Sequence, residues 1–426
     1  MRKYIGRAFG LVRSGTARDT YILFSGNLFA AFLGFVFTVI VARALSVEDF
    51  GILSAATNLI VIVSSLTDLG ISSGLISFAA AEFSRKNIAK AYEYAKAAFL
   101  IKVLATLPLV LFLILFASFV ARNWLATSDR TVSYWVAAIS FLAVIWGFLP
   151  SILHAKKKFL QSVLIDVSLS LPKAVIPYFL LIAGVLTINS TLAAFTISVA
   201  VAGFVGFAFT GVGFLRAKPK KEIYLKLVKF SSWLGVNRII SSISGRLDIQ
   251  MLAAIAGAAA TGIYSIPAKL SSFIVVLSSS LSSVLAPRFA AFENREKERS
   301  YLIKATLAVL ATSVGIVFWI IIAKPFIVLL FGVKYIESVP VFQALSAAMI
   351  PYLLAVPPVT AIIYALKKTV FIGLFSFFQL AAIFALNYIF IPIYGPIGPT
   401  IAFGAVHTVL MIYSWTIVVK YYWIDK

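Results

Sequence analysis

The sequence contains no cysteine, and only 12% of its 426 residues are charged. The missing cysteines exclude disulfides and thiolate metal sites, and two histidines, His154 and His407, are too few to form a zinc cluster. An ordinary soluble domain has about 25% charged residues. Since 62% of the residues are hydrophobic and the mean hydropathy is +1.02, the sequence predicts a polytopic membrane protein.

Acidic residues are also scarce, because 15 Asp and Glu stand against 37 Lys and Arg and leave a net charge of +22. In a soluble protein such a charge suggests a nucleic-acid partner. Here the positions of the basic residues have to be compared with those of twelve apolar runs. Each run is long enough to cross about 30 Å of hydrocarbon as a helix. The approximate spans are 21–43, 51–82, 97–120, 132–154, 160–186, 191–215, 231–254, 262–287, 302–331, 339–366, 369–393 and 398–421.

The distribution of basic residues predicts the topology. With a cytoplasmic N-terminus, the inner segments hold 27 of the 37 Lys and Arg, and the outer loops hold four, namely Arg43, Arg122, Arg130 and Lys334. This asymmetry follows the positive-inside rule, so both termini are predicted to be cytoplasmic. The charge is then explained by topology, and no nucleic-acid partner is implied.

The first 20 residues form a predicted basic cytoplasmic segment. It is either a short helix on the anionic inner leaflet or a basic tail. The apolar run that follows has about 20 residues, which is longer than the core of about 7 to 15 residues in a signal peptide. We therefore interpret that run as the first transmembrane helix.

An internal repeat divides the chain into halves. A shift of 211 residues aligns Gly51 with Gly262 and Ser54 with Ser265. Two halves of six helices each keep the same orientation in the membrane, which indicates a parallel repeat with a pseudo-two-fold axis along the membrane normal. The sequence predicts an N-terminal six-helix lobe at 21–215, a basic cytoplasmic linker at 216–230, and a C-terminal six-helix lobe at 231–426.

Two stretches carry a family resemblance. "ARALSVEDFGILSAATNLIVIVSSLTDLGISSGL" at 42–75 and "RLDIQMLAAIAGAAATGIYSIPAKL" at 246–270 resemble the two signatures of polysaccharide biosynthesis membrane proteins of the O-antigen flippase type. These belong to the multidrug/oligosaccharidyl-lipid/polysaccharide exporter superfamily. In this sequence Ser46-Val47 stands where Gly-Pro is usual, a change confined to a turn.

The resemblance implies a multi-pass protein of the plasma or inner cell membrane. It implies translocation of an oligosaccharide linked to undecaprenyl or dolichyl diphosphate, with that lipid and the surrounding membrane lipids as binding partners. Glycan polymerases or glycosyltransferases are possible protein partners, and no cofactor is expected.

Nine charged residues lie inside the predicted spans, apart from those at the span ends. A charge at the bilayer centre costs about 2.5–3.5 kcal/mol, so each is a functional candidate that faces the bundle interior. We expect Lys102 and Lys324, near predicted helix ends, to snorkel to the interface instead. The full set is Lys102, Lys173, Arg238, Arg246, Lys269, Lys324, Asp68, Asp166 and Asp248.

The seventh span holds three of these residues. On a continuous helix, Arg238, Ser241, Ser242, Gly245 and Arg246 fall on one face, and Asp248 does not. The two arginines are predicted to bind an anionic headgroup, with pairing to counter-ions on neighbouring helices left open, above all for Arg246. Asp248 is interpreted as a structural ion that anchors the helix to a neighbour.

Three further residues are candidates for the substrate cavity. Lys269 and Asn58 occupy equivalent positions in the repeat, where a central site is expected. Lys173 is predicted near mid-bilayer, beside Pro172. The alternatives are that Lys269 snorkels outward and that Lys173 pairs with Asp166.

Asp68 and Asp166 are candidates for coupling transport to protons. For Asp68 the alternative is that it accepts a hydrogen bond from the first helix. Buried carboxylates inside a membrane segment are the usual members of proton relays.

The excess of cations inside the spans favours an anionic cargo, because guanidinium groups bind phosphate through paired hydrogen bonds. We therefore predict a flippase that works by alternating access. A drug or cation antiporter of the same superfamily is the alternative, and a membrane glycan polymerase or ligase is a weaker one. The sequence has no nucleophile triad, metal cluster or phosphate-binding loop, so an enzyme is not predicted.

Overall fold

The computed structural model describes residues 15–292 and 294–424, except for the side chains of residues 15–17, 233, 234 and 237. Most of the predicted basic segment 1–20 lies outside the described residues. Every regular element in the described part of the chain is a helix, and none is a strand.

Fifteen α-helices form the fold of the described residues. Their bounds are α1 Gly15–Ala44, α2 Val47–Asp68, α3 Ile71–Ser84, α4 Ile88–Leu115, α5 Ala117–Trp124, α6 Thr131–Ala155, α7 Phe159–Ile182, α8 Ile188–Thr210, α9 Lys221–Ser244, α10 Leu247–Ala291, α11 Arg295–Ile321, α12 Ala323–Phe331, α13 Ser338–Tyr364, α14 Thr369–Tyr394 and α15 Gly398–Val419. Short 3₁₀ turns at Gly213–Arg216, Val333–Tyr335 and Gly395–Ile397 and a π-helical end at Lys420–Ile424 complete the described secondary structure.

Twelve of these helices have at least 22 residues, six of them before residue 216 and six after it. Ten stretches of the described residues are long and apolar enough to cross a membrane. One of them includes both α14 and α15, and α9 is not among them. The predicted all-α, polytopic fold with two sets of six long helices is confirmed.

The chain divides into two compact units. The first contains the residues up to Leu45, Ala56–Arg122 and Thr127–Ile239, and the second contains Ser46–Ala55, Asn123–Ala126 and the residues from Ile240 onward. The predicted linker at 216–230 lies within the first of these units. Helix α9 begins within it, and Ile223 and Leu227 are buried in the core of the first unit because their apolar side chains pack there.

The apolar run predicted at 51–82 is interrupted at Leu69–Gly70. Helix α2 ends at Asp68, Leu69 and Gly70 both have left-handed backbone angles, and α3 begins at Ile71. Left-handed geometry is uncommon for a residue with a side chain, so Leu69 is held there by its surroundings. A Cβ on Gly235 of α9 would lie 2.5 Å from the Leu69 carbonyl oxygen, which shows how closely α9 approaches this break.

The predicted continuous helix through Arg238, Arg246 and Asp248 is wrong. Helix α9 ends at Ser244, and Arg246 has φ −138° and ψ −3° before α10 begins. A break at Gly245–Arg246 rotates the residues beyond it, so Arg238 and Arg246 do not share one helical face.

Helix α10 is itself divided. Its 45 residues include Gly257, whose φ of 83° and ψ of −176° are not helical. A straight helix of that length would extend about 68 Å, more than twice the hydrocarbon thickness of about 30 Å. Gly257 therefore separates a short segment at 247–256, which continues the predicted seventh span, from a long segment at 258–291, which contains the predicted eighth.

The two glycines that the internal repeat aligns also meet in space, inside the second unit. A Cβ on Gly51 would overlap the carbonyl group of Ala258, and a Cβ on Gly262 would overlap the carbonyl group of Val47. Small residues allow helix backbones to approach closely in membranes. Gly51 and Gly262 are thus required where the first turns of α2 cross α10.

We expect Gly262→Ala to lower the free energy of unfolding by about 1–3 kcal/mol or more, because the added methyl group forces two backbones apart. Unfolding in mixed detergent micelles, followed by tryptophan fluorescence, measures the change. Gly34→Ala in α1 is the matched control, since its Cβ would enter open space. Equal unfolding of the two variants would contradict the close crossing.

Candidate functional site

A cluster of charges surrounds Asp68 in the first unit. Asp68 is the last residue of α2, and the turn at Leu69–Gly70 brings Ser72 of α3 back to it. The Ser72 hydroxyl donates to Asp68 Oδ1 at 2.5 Å. The helix break therefore leaves the carboxylate free to receive partners from other helices.

Lys102 of α4 is the first of these partners. Its Nζ lies 2.8 Å from Asp68 Oδ1 and donates to the Ser72 hydroxyl at 2.9 Å. Only 4% of Lys102 is exposed, so the prediction that it snorkels to the interface is wrong. Helix α4 begins at Ile88, well before the predicted start at 97, and this places Lys102 deep in the helix.

Arg238 of α9 is the second partner. It follows Gly235 by three residues, so it lies on the same face as the close approach to Leu69. Its Nη1 donates to Asp68 Oδ2 at 2.9 Å. The Arg238 side chain is 54% exposed and that of Asp68 is 19% exposed, so the guanidinium keeps N–H donors for a further ligand.

The predicted hydrogen bond from the first helix to Asp68 is not among its contacts, which come from α3, α4 and α9. One carboxylate is shared by two cations, and the cluster carries a net positive charge. An anion is the ligand that this charge favours.

The predicted residues Arg246, Asp248 and Lys269 lie in the second unit. Asp248 Oδ2 accepts from the hydroxyl of buried Tyr264 at 2.6 Å, and its Oδ1 accepts from the Ile249 backbone N–H at 2.8 Å. Since Asp248 and Tyr264 stand on opposite sides of Gly257, the bond holds the two segments of α10 together. Asp248 thus joins the segment that continues the predicted seventh span to the segment that contains the predicted eighth, and its role as a structural ion stays a prediction.

Arg246 caps the start of α10, and its charge interacts with those of Asp248 and Lys269. The Lys269 Nζ lies 5.5 Å from the centre of the Phe50 ring, and the residue is half-buried. Lys269 is twelve residues beyond Gly257, about 18 Å along the helix. The cavity role of Lys269 and its outward snorkelling both stay predictions.

Lys173 and Asp166 share α7 in the first unit. The Lys173 Nζ lies 3.7 Å from the centre of the Phe195 ring and 4.9 Å from that of Phe37, which gives the ammonium group an aromatic environment. No ion pair joins Lys173 to Asp166 among the described side chains. Asn58, in α2, is 3% exposed.

Sequence reasoning missed Lys102, Ser72 and Tyr264. Lys102 lies well inside α4, but the predicted helix start at 97 placed it near a helix end. Ser72 and Tyr264 had no signal of their own, because hydroxyl groups are common in membrane helices. In the described residues, no group of three His, Cys, Asp or Glu side chains is placed to hold a metal ion.

We expect Asp68→Asn to lower the free energy of unfolding by about 3–5 kcal/mol, since it leaves the buried Lys102 ammonium unpaired. Arg238→Ala removes a half-exposed partner and should cost no more than about 1 kcal/mol. Unfolding in mixed micelles compares the two. Adding Lys102→Met to Asp68→Asn should restore most of the loss, and failure of that rescue would contradict the ion pair.

The model of the family described as "Polysaccharide biosynthesis protein" matches residues 16–293, more than half of the chain. The chain belongs to this family. The predicted resemblance to the polysaccharide biosynthesis family is confirmed. No curated protein sequence matches the chain.

Solved structures share the fold over nearly the whole chain. The lipid II flippase MurJ in an inward closed conformation has a TM-score of 0.76 at 16% identity, covering 93% of this chain and 87% of that one. An inward-facing MATE family multidrug resistance transporter of the MOP superfamily has a TM-score of 0.75 at 14% identity, with 91% and 93% covered. A MOP superfamily transporter from Pyrococcus furiosus has a TM-score of 0.61 at 14% identity, with 94% and 93% covered.

Proposed function

We propose that the protein is a flippase that moves a polyprenyl-diphosphate-linked oligosaccharide from the inner to the outer leaflet by alternating access. The observation that carries this proposal is the Arg238 guanidinium, which is paired through one nitrogen to Asp68 while more than half of its side chain is exposed. Guanidinium groups bind phosphate oxygens in a planar, paired geometry.

The shared carboxylate makes Arg238 suited to ligand exchange. When Arg238 turns from Asp68 to a phosphate, Asp68 still has Lys102 and Ser72 as partners. The exchange therefore leaves no buried charge without a counter-ion, which would otherwise be costly. Lys102 holds the carboxylate in place, and Arg238 binds the headgroup.

The remaining predicted residues take secondary roles in this proposal. Arg246 and Lys269 in the second unit and Lys173 in the first are further cationic candidates, and Asn58 is a polar candidate. Asp166, with no hydrogen bond or ion pair among the described residues that involves it, is the stronger candidate for proton coupling, because Asp68 is held between two cations.

The proposed orientation follows the positive-inside rule, with both termini cytoplasmic. Glycosyltransferases or a glycan polymerase that make or use the lipid-linked oligosaccharide are the proposed partners, and we assign no enzymatic step to this chain. Lipid-linked oligosaccharides carry the diphosphate that the cationic cluster favours.

The fold shared with MATE family transporters favours one other candidate, a drug or cation antiporter. A cation site needs carboxylates that are not already neutralised. Asp68, the acid at the centre of the charge cluster, is shared by two cations. The cluster thus supports an anionic cargo over a cationic one.

We expect Arg238→Ala to lower the rate of translocation about tenfold to a hundredfold, the equivalent of losing a charged hydrogen bond of about 1.5–3 kcal/mol. The assay follows a fluorescent polyprenyl-diphosphate oligosaccharide across proteoliposomes. Arg85→Ala is the control, because Arg85 is also an exposed arginine paired with one carboxylate, that of Glu82. Normal translocation by Arg238→Ala would remove it from the proposed site.

Alternating access has a separate test in this cysteine-free chain. A single cysteine at Ser241, one turn beyond Arg238 in α9, should react with a membrane-impermeant thiol reagent from each side in turn as substrate is added. The reaction rate from either side measures this. Reactivity that stays confined to one side in every condition would contradict alternating access at this helix.

A further inference from the structure

A cavity of about 420 Å³ lies inside the second unit, among α10, α13 and α15. Its volume falls in the range of about 300–1,000 Å³ that is typical of small-ligand sites. None of the described side chains that line it is charged, in contrast to the cluster around Asp68. Five aliphatic hydroxyl groups line it, those of Ser278, Ser279, Ser282, Ser283 and Thr360, together with two tyrosines.

The hydrogen bonds of these hydroxyl groups set the polarity of the cavity. Ser279 donates to the Val275 carbonyl at 3.0 Å, and Ser283 donates to the Ser279 carbonyl at 2.9 Å. On the facing helix α13, Thr360 donates to the Val356 carbonyl at 2.7 Å. These three protons are committed to their own helices, so the three oxygens are left as acceptors, and the Ser282 hydroxyl lies 3.4 Å from that of Thr360.

The acceptor oxygens of Ser279, Ser283 and Thr360 favour a ligand that brings donors. A phosphate brings acceptor oxygens only and finds no cation here, and a hydrocarbon tail leaves the hydroxyl oxygens without partners. An uncharged, hydroxyl-rich molecule donates to these oxygens and needs no counter-ion.

Tyrosine rings supply the apolar part of the wall. Tyr352 lines the cavity, and its ring is fixed by an edge contact with His407 at 5.1 Å and by Phe403 at 6.0 Å. Tyr364 lines it too and is 42% exposed. Flat, amphipathic rings of this kind suit the apolar C–H face of a sugar.

We propose that this cavity binds the neutral sugar segment of the cargo and discriminates against sugars that carry a carboxylate. This inference rests on the proposed function, because it names which part of a lipid-linked oligosaccharide the second unit holds. The diphosphate is bound elsewhere, by the cationic residues.

The test compares two double variants of α10. Ser279→Ala with Ser283→Ala removes two cavity oxygens. Ser272→Ala with Ser280→Ala is the matched control, because these serines are also exposed and donate to carbonyl groups of their own helix, those of Lys269 and Val276, but do not line the cavity.

The probes are polyprenyl diphosphate alone and polyprenyl diphosphate carrying a neutral disaccharide, bound to the purified full chain in detergent. For Ser279→Ala with Ser283→Ala, we expect about a tenfold weaker Kd for the disaccharide probe and an unchanged Kd for the bare one. The control pair should change neither. An unchanged Kd for the disaccharide probe, or an equal loss for both probes, would overturn the sugar site.

A second measurement separates this proposal from the proposed function. If the bare probe fails to bind the unmodified protein, or binds Arg238→Ala equally well, the diphosphate site is wrong. The sugar site is then tested with Ser283→Cys, labelled by a thiol reagent with and without an excess of free neutral disaccharide. We expect the sugar to slow the labelling at least threefold, and to leave the labelling of the control Ser280→Cys unchanged. Equal labelling rates with and without the sugar would overturn it.

Discussion

The carboxylate of Asp68, held between Lys102 and Arg238, is the interaction on which the first unit depends. A buried lysine inside a membrane protein needs a counter-ion, and Asp68 supplies it for Lys102. The same carboxylate has a second oxygen, and α9 reaches it only because Gly235 has no side chain to meet the Leu69 carbonyl. One ion pair thus fixes the end of α2, while the other leaves a guanidinium partly exposed.

The second unit also holds a carboxylate in place, but with hydroxyl and backbone N–H donors. The half-buried carboxylate of Asp248 accepts from Tyr264 and from the backbone of Ile249. This bond spans Gly257 and fixes the angle between two helical segments. The crossing of Gly51 and Gly262 then holds the first turns of α2 against the longer segment. Here the carboxylate maintains the shape of the helix, and the hydroxyl-lined cavity lies further along the same helix.

Sequence patterns predicted most of the fold and less of the charge cluster. Apolar runs of about 20 residues are a strong signal for transmembrane helices, and the repeat aligned two glycines that have one structural role. The partner of Arg238 was not predictable, since Asp68 lies 170 residues away and no local pattern connects them. Lys102 was misjudged because apolarity alone places the start of α4 too late. The prediction that Arg238 and Arg246 share one helical face was wrong, because the break at Gly245 has no distinct sequence signal.

A lipid-linked oligosaccharide has two polar parts that need opposite treatment. Its diphosphate accepts hydrogen bonds and requires cations, and its sugars donate hydrogen bonds and require none. A single site rich in arginine would hold the diphosphate so firmly that release becomes slow, and a site of hydroxyl groups alone would not overcome the dehydration of the phosphates. In the proposed function, Arg238 provides reversible binding because it can return to Asp68 when the diphosphate leaves. The proposed sugar cavity adds recognition of the glycan without adding a charge that has to be released, which suits the flippase role proposed for this chain.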